Sequence, residues 1–126
     1  MFDMQNFIRA GIYAVFLLGA VGAFASDLQA VQVVEINHLI KYVSDAGCTF
    51  IRNGNAYSSA EAVEHINKKY AYFKADIDSA EKFIELSATQ STLTGKKYTI
   101  KCPGKEVVES RKWLLEELQA LRSRMD

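Results

Sequence analysis

An uncharged apolar run near the amino terminus restricts the folded part of this chain to the residues that follow it. Residues 10–25, AGIYAVFLLGAVGAFA, carry no charge and follow a short segment that contains Arg9. A positive end followed by an apolar run is typical of a secretion signal. The run is also shorter than the roughly 20 apolar residues that cross the hydrocarbon core of a membrane.

The end of the apolar run predicts where the signal is removed. The sequence AFA at residues 23–25 places small residues at the two positions that a signal peptidase reads. We therefore predict a signal peptide over residues 1–25, cleaved before Ser26, and a single periplasmic or secreted domain over residues 26–126. A retained amino-terminal anchor is the alternative, because Asp3 weakens the positive end of the signal.

The composition indicates a folded domain without affinity for nucleic acid. Apolar residues make up 49% of the chain and charged residues 24%, whereas disordered chains combine low hydrophobicity with high net charge. Lys and Arg together number 15, as do Asp and Glu, so the positive surface that binds a phosphate backbone is not expected. We expect no nucleic-acid partner, and contact with a membrane only through an uncleaved signal.

The cysteine content predicts one disulfide. Only Cys48 and Cys102 occur, and both follow the predicted signal. Two cysteines in an oxidising compartment are usually bonded, so we expect these two to be joined. A redox or nucleophilic thiol is the alternative, but the sequence has neither a C-x-x-C spacing nor a cysteine-protease signature.

Two amphipathic segments in the first half of the mature chain are predicted to be helices. The first covers residues 28–46 and ends at Gly47. The second begins after Ser58, which forms a capping box with Glu61. Their predicted inward faces consist of Ile36, Leu39, Ile40 and Val43 in the first, and of Ala62, Val63, Ile66, Tyr70 and Phe73 in the second.

Two further helices are predicted in the second half. After a break near Asp76, the spacing of Asp78 and Glu81 repeats the cap pattern, and the last helix begins near Ser110. Their predicted inward faces consist of Ala80, Phe83, Ile84 and Ser87 in the third helix, and of Leu114, Leu118, Leu121 and Met125, with Trp113 beside them, in the fourth.

Short alternating segments predict a small sheet. Residues 48–52 and 55–57 flank Asn53-Gly54, the dipeptide most favoured in a type I′ hairpin turn. Residues 97–102 alternate between apolar and polar side chains, which is typical of a half-buried strand, and the exposed lysines suit an edge. The sequence therefore predicts a mainly helical α+β fold with about four helices, a two- or three-stranded antiparallel sheet and one disulfide.

The order of short motifs along the mature chain resembles a known family. The motifs are GCTFIRNG at residues 47–54 with Tyr57, His65 with Lys69-Tyr70, Ser79-Ala80-Glu81 with Phe83-Ile84, and Gly95 with Tyr98 and Cys102. In this order they resemble the YfeK-like family of small exported bacterial proteins, a domain of unknown function. Thr94 departs from the family pattern, which has a serine before the glycine, but it keeps the hydroxyl. The resemblance implies a secreted, disulfide-bearing domain and no particular activity.

The histidines do not by themselves predict a catalytic or metal site. Only His38 and His65 occur. Glu61 and His65 are four residues apart on one predicted helix face, but a zinc site needs three or four protein ligands and the sequence does not identify the others. We assign no catalytic residue, metal or cofactor, and a pair on the helix surface is the simpler interpretation.

Six residues are candidates for contact with a partner. Arg52 lies at the predicted hairpin tip and offers a guanidinium that binds a carboxylate as a fork. The other five follow or end the predicted polar loop at residues 89–95: Thr94, Gly95, Lys96, Lys97 and Tyr98. These five are similar to the Ser-Gly-x-x-Tyr motif of periplasmic lysozyme inhibitors, whose loop contacts two catalytic carboxylates. Those inhibitors are β-barrels, whereas this chain is predicted to be mostly helical.

Three functional hypotheses follow from the sequence. The favoured one is a non-enzymatic binding module of the cell envelope with an unidentified protein or peptide partner. The second is a lysozyme-type inhibitor acting through residues 94–98. The third is a hydrolase with a site near His65, which requires a concave pocket and an acid or nucleophile within hydrogen-bond reach of the imidazole.

The signal prediction is tested by the mass of the exported protein. Because the AFA end favours cleavage, the protein recovered from the periplasm should begin at Ser26. Recovery of the full-length chain from the membrane fraction would instead identify a retained anchor.

Overall fold

A computed structural model describes residues 30–126, in which helices pack on one face of a small antiparallel sheet. The predicted signal at residues 1–25, its cleavage site and the first two residues of the predicted first helix lie outside the described residues. Within residues 32–126, which form one compact unit, the mainly helical α+β architecture predicted from the sequence is confirmed.

The described elements run in the following order. They are helix α1 (residues 30–45), strands β1 (Thr49–Arg52) and β2 (Asn55–Tyr57), helix α2 (Ser59–Phe73), a 3-10 turn (Lys74–Asp76), helix α3 (Ala80–Ser87), strands β3 (Thr99–Lys101) and β4 (Val108–Glu109), and helix α4 (Ser110–Met125). None of the helices described within residues 30–126 is long and apolar enough to span a membrane.

The first hairpin forms as its turn dipeptide predicts. Asn53 and Gly54 both have positive φ angles, 51° and 79°, as a type I′ turn requires. Arg52 pairs with Asn55, and Phe50 pairs with Tyr57. Because directly paired residues point to the same face of a sheet, the side chains of Phe50, Arg52 and Tyr57 share one face.

The third strand has the predicted alternation but not the predicted position. The strand order is β2-β1-β3-β4, so β3 lies inside the sheet and the prediction of an edge strand is wrong. The exposed Lys97 and Lys101 mark the open face of the sheet, whereas Tyr98 and Ile100 are buried beneath the helices. The edge is formed by β4, whose two residues are too few to produce an alternating pattern.

The predicted disulfide is present and aligns the sheet. Cys48 and Cys102 are bonded with their Cα atoms 4.3 Å apart. They stand one position beyond the Thr49–Lys101 pair of β1 and β3, on the same face as Phe50 and Ile100. Cys48 belongs to the buried core, so the bond fastens the pairing from the core side.

The helix caps follow the predicted pattern with one shift. The hydroxyl of Ser58 accepts a hydrogen bond from the Glu61 backbone at 3.2 Å, and the Glu61 carboxylate accepts one from the Ser58 backbone at 3.1 Å, which confirms the capping box. At α3 the cap is Ser79, whose hydroxyl accepts from the Lys82 backbone at 3.0 Å. Asp78, the predicted cap, lies one residue too early.

The last helix buries Leu114 and Leu118 but not its end. Leu114 and Leu118 are buried, whereas Met125 is 62% exposed, so its predicted place on the inward face is wrong. Trp113 packs against Tyr42 of α1, with ring centroids 4.4 Å apart, and against the edge of Phe50. The inward face of α4 therefore ends before its last turn.

At the end of α4, Arg122 joins the helix to its neighbours through ion pairs instead of apolar contacts. The Arg122 guanidinium donates to the carboxylate of Glu35 on α1 at 2.7 Å and to that of Glu81 on α3 at 2.9 Å. These hydrogen bonds raise the pKa of Arg122 further above its usual value, and the bond from Arg122 lowers the pKa of Glu81. Glu35 is only 5% exposed, and the removal of one partner from such a pair leaves the other charge uncompensated.

The disulfide should contribute strongly to the stability of the domain. It closes a loop with a sequence separation of 54, for which chain entropy gives about 4 kcal/mol of stabilisation. We expect the variant with both cysteines changed to alanine to unfold at a much lower urea concentration than the oxidised protein. Equal unfolding midpoints would show that the pairing of β1 with β3 does not depend on the bond.

Candidate functional site

A cleft lies between the β1–β2 hairpin and helix α2. Its volume is about 220 Å³. Its walls combine an apolar floor with a polar rim. The floor residues include Phe50, Ala62, Ile66, Ala88 and Leu114, and the rim residues include Arg52, Tyr57, Glu61, Glu64, His65, Lys68 and Tyr98.

The register of the sheet brings Arg52 and Tyr98 together. Ile51 pairs with Thr99, so Arg52 and Tyr98 stand at the next position along the two strands. The face that they share is the one covered by α2. The backbone of Tyr98 is fixed on both sides, because its N–H donates to the carbonyl of Thr89 at 2.9 Å and its carbonyl accepts from Ser110 at 3.0 Å.

The hydroxyl of Tyr98 is the centre of a polar cluster. It lies 3.0 Å from Nε2 of His65, and Nζ of Lys69 donates to it at 3.3 Å. Lys69 also donates to the backbone carbonyl of Gln90 at 2.8 Å. His65 and Lys69 are four residues apart on α2, a spacing that places both on one face of the helix. Tyr98 itself is 7% exposed.

Burial favours the neutral form of each member of this cluster. Burial lowers the pKa of His65, and the cations Arg52, Lys69 and Lys68 lower it further, to about 4. Burial, followed by the charge of Arg52, lowers the pKa of Lys69. Burial raises the pKa of the Tyr98 phenol against the opposing effect of Arg52. At neutral pH the rim therefore presents an uncharged imidazole beside cationic side chains.

Arg52 crosses the mouth of the cleft against a tyrosine. Its guanidinium carbon lies 4.9 Å from the centre of the Tyr57 ring, and Nη2 donates to the Tyr57 hydroxyl at 3.2 Å. This stacking holds the guanidinium in place, and among residues 30–126 most of its donors have no partner. Within residues 30–126 neither Arg52 nor Lys69 forms a salt bridge with a carboxylate.

The two carboxylates on the rim are engaged elsewhere. Glu61 accepts from the backbone of Ser58 in the capping box, and Glu64 lies 3.4 Å from Nζ of Lys68. In the described part of the chain no group of three or more potential metal-binding side chains is present. The Glu61–His65 spacing on α2 therefore does not extend to a metal site among these residues.

The six residues predicted for partner binding fall into two groups. Arg52 and Tyr98 line the cleft, whereas Thr94, Gly95, Lys96 and Lys97 lie outside its walls. The Thr94 hydroxyl donates to the Asn53 side chain at 2.8 Å, and the Gly95 and Ser91 backbones are hydrogen bonded within the loop. The loop at residues 89–95 is thus fastened to the hairpin, more tightly than its polar composition predicts.

Sequence reasoning did not assign Tyr57, Glu64 and Lys68 of the rim to a site, nor Lys69, which contacts Tyr98. Lys69 follows His65 by four residues on a predicted helix, which indicates a shared face, but nothing local shows that this face meets Tyr98. Tyr57 is placed by the pairing of β1 with β2. The sequence signal for Lys69 and Tyr57 is visible only after the strands have been aligned.

Residues 30–122 match the family described as a family of unknown function, DUF5329. The chain belongs to this family. The uncharacterized protein YfeK of Salmonella typhimurium is 36% identical over 85 residues, which cover 67% of this chain and 70% of that protein. The YfeK-like resemblance predicted from the sequence motifs is therefore confirmed. No solved structure matches the chain. Every cleft residue named above lies inside the DUF5329 match.

The neutral state of His65 can be measured by NMR. The sequence has two histidines, so in a His38→Gln variant only the imidazole signal of His65 remains to be followed. Its pKa should be about 4 instead of the ordinary 6.5, because burial and three neighbouring cations oppose protonation. A titration centred near 6.5 would mean that His65 is open to solvent.

The same shift gives a direction to the pH dependence of stability. The unfolded chain binds a proton on His65 between pH 6.5 and about 4, whereas the folded protein does not. The free energy of unfolding is therefore not reduced by His65 above pH 6.5, and it falls as the pH decreases from 6.5 to about 4. A His65→Gln variant should lose less stability than the wild-type protein between pH 7 and 5.

Proposed function

We propose that this protein is an exported, non-enzymatic binding module of the bacterial cell envelope, and that the hairpin cleft is its binding site. The observation that carries the proposal is the combination of an apolar floor with convergent polar side chains in one concavity, which is the usual make-up of a ligand site. At about 220 Å³ the cleft is smaller than a site for a drug-sized ligand. It suits a single apolar group of a larger partner.

Export is supported by two features. The apolar run at residues 10–25 ends in the small residues of a signal-peptidase site, and the Cys48–Cys102 bond suits an oxidising compartment. The periplasm combines both requirements. Thiol labelling of the native protein inside cells provides the test, since a reducing compartment would leave both cysteines reactive.

Binding is better supported than catalysis by the partners of His65. A hydrolase needs its imidazole beside an acid or a nucleophile, and the neighbour of His65 is the Tyr98 phenol, whose raised pKa opposes formation of a phenolate. Glu61, four residues before His65, bonds to the Ser58 backbone instead. A single-turnover screen with ester and amide substrates tests this view, and a His65-dependent product would overturn it.

Lysozyme inhibition through residues 94–98 is less well supported. That mechanism needs the loop that contains the tyrosine to contact two carboxylates of a partner, whereas Tyr98 is 7% exposed and its hydroxyl contacts His65 and Lys69. We expect micromolar protein not to slow the lysis of peptidoglycan by lysozyme. Inhibition that a Tyr98→Ala variant lost without unfolding would restore this hypothesis.

Occupancy of the cleft can be tested with a neutral apolar probe. We expect N-acetylphenylalaninamide at millimolar concentration to shift the methyl NMR signals of Ile66, Ala88 and Leu114, which line the cleft. An Ala62→Leu variant should abolish these shifts, because Ala62 lies on the same wall and the larger side chain fills the space.

The control for this experiment is an Ala71→Leu variant, which makes the same change at an exposed position of α2. It should bind the probe as the wild-type protein does. Thermal unfolding of both variants identifies any loss of folding from overpacking. Equal shifts in the wild-type and Ala62→Leu proteins would place the probe outside the cleft and contradict the proposal.

A further inference from the structure

The charged side chains around the cleft are unevenly paired. On the rim, Lys68 is paired with Glu64, whereas Arg52 forms no salt bridge within residues 30–126. Lys69, which contacts Tyr98, likewise forms none among these residues. The charges of Arg52 and Lys69 both oppose protonation of the His65 imidazole. Two cations, Arg52 and Lys68, and two carboxylates, Glu61 and Glu64, line the cleft. Of the two cations only Arg52 has no carboxylate partner within residues 30–126.

We propose that the cleft binds the carboxyl terminus of a peptide whose last side chain is apolar, an inference that rests on the function proposed above. The terminal carboxylate lies against the Arg52 guanidinium, which is held by Tyr57 with donors to spare and binds carboxylates as a fork. The last side chain enters the floor formed by residues such as Ala62, Ile66 and Leu114.

The position of the cleft in the sheet favours a peptide over a free carboxylic acid. Strand β2 is the outer strand of the order β2-β1-β3-β4, and Tyr57 at its end lines the cleft. An edge strand has backbone donors and acceptors that no neighbouring strand uses, and an extended peptide can pair with them. The residues that precede the terminal side chain thus have a surface to follow, with the exposed Ala56 at its middle.

Isothermal titration with matched peptides tests the inference. The probes are acetylated tetrapeptides ending in Leu, Phe or Tyr, each as the free acid and as the carboxamide, together with 3-phenylpropionate. The best acid should bind about tenfold or more tightly than its amide, because a charge-assisted fork is much stronger than a neutral hydrogen bond. It should also bind more tightly than 3-phenylpropionate, which has no backbone to pair with β2.

Arginine variants locate the carboxylate. Arg52→Gln should remove the preference for the acid, whereas Arg111→Gln, at an exposed position of α4, should preserve it. If Arg52→Gln unfolds, the comparison of acid with amide on the wild-type protein decides the question alone.

Each failure has a separate meaning. Equal binding of acid and amide, with shifts of the cleft methyl signals, overturns the carboxylate inference and leaves the apolar site. Equal binding of 3-phenylpropionate and the best peptide overturns the inference in favour of a small acid. If none of the probes, including the neutral one, shifts the cleft signals, the inference and the proposed function both fail.

Discussion

The pairing of β1 with β3 is the constraint on which the site depends. The Cys48–Cys102 bond fixes this pairing at one end. On the other side of β1, the type I′ turn at Asn53-Gly54 fixes the register of β1 with β2. A slip of one residue would turn every side chain of β1 to the opposite face. Phe50 would then leave the core and Arg52 would leave the cleft.

The helices complete the site by covering only one face of this sheet. Helix α2 presents His65 and Lys69 to Tyr98, and α4 supplies Leu114 to the floor. The bond of Arg122 with Glu35 and Glu81 joins α4 to α1 and α3 at the far end of α4. In the cleft, burial and the charge of Arg52 lower the pKa of His65 to about 4, so the imidazole is neutral at neutral pH.

Local signals in the sequence were sufficient for most elements of the fold. The hairpin, the capping box and the disulfide were predicted because each depends on a short motif or on two residues with no other partner. The short strand β4 and the Arg122 bonds were missed, since a two-residue strand has no period and Glu35 is 87 positions away from Arg122. Arg52 and Tyr98 were chosen as separate candidates, and their common site follows only from a strand register that the sequence left open.

The most direct test of the account is a crystal structure of the oxidised protein with a peptide that ends in a free carboxylate and an apolar side chain. The account predicts the terminal side chain between α2 and the hairpin, above Ala62 and Leu114, with the carboxylate bound by the Arg52 guanidinium. A peptide bound instead at residues 94–97, with the cleft between α2 and the hairpin empty, would contradict it.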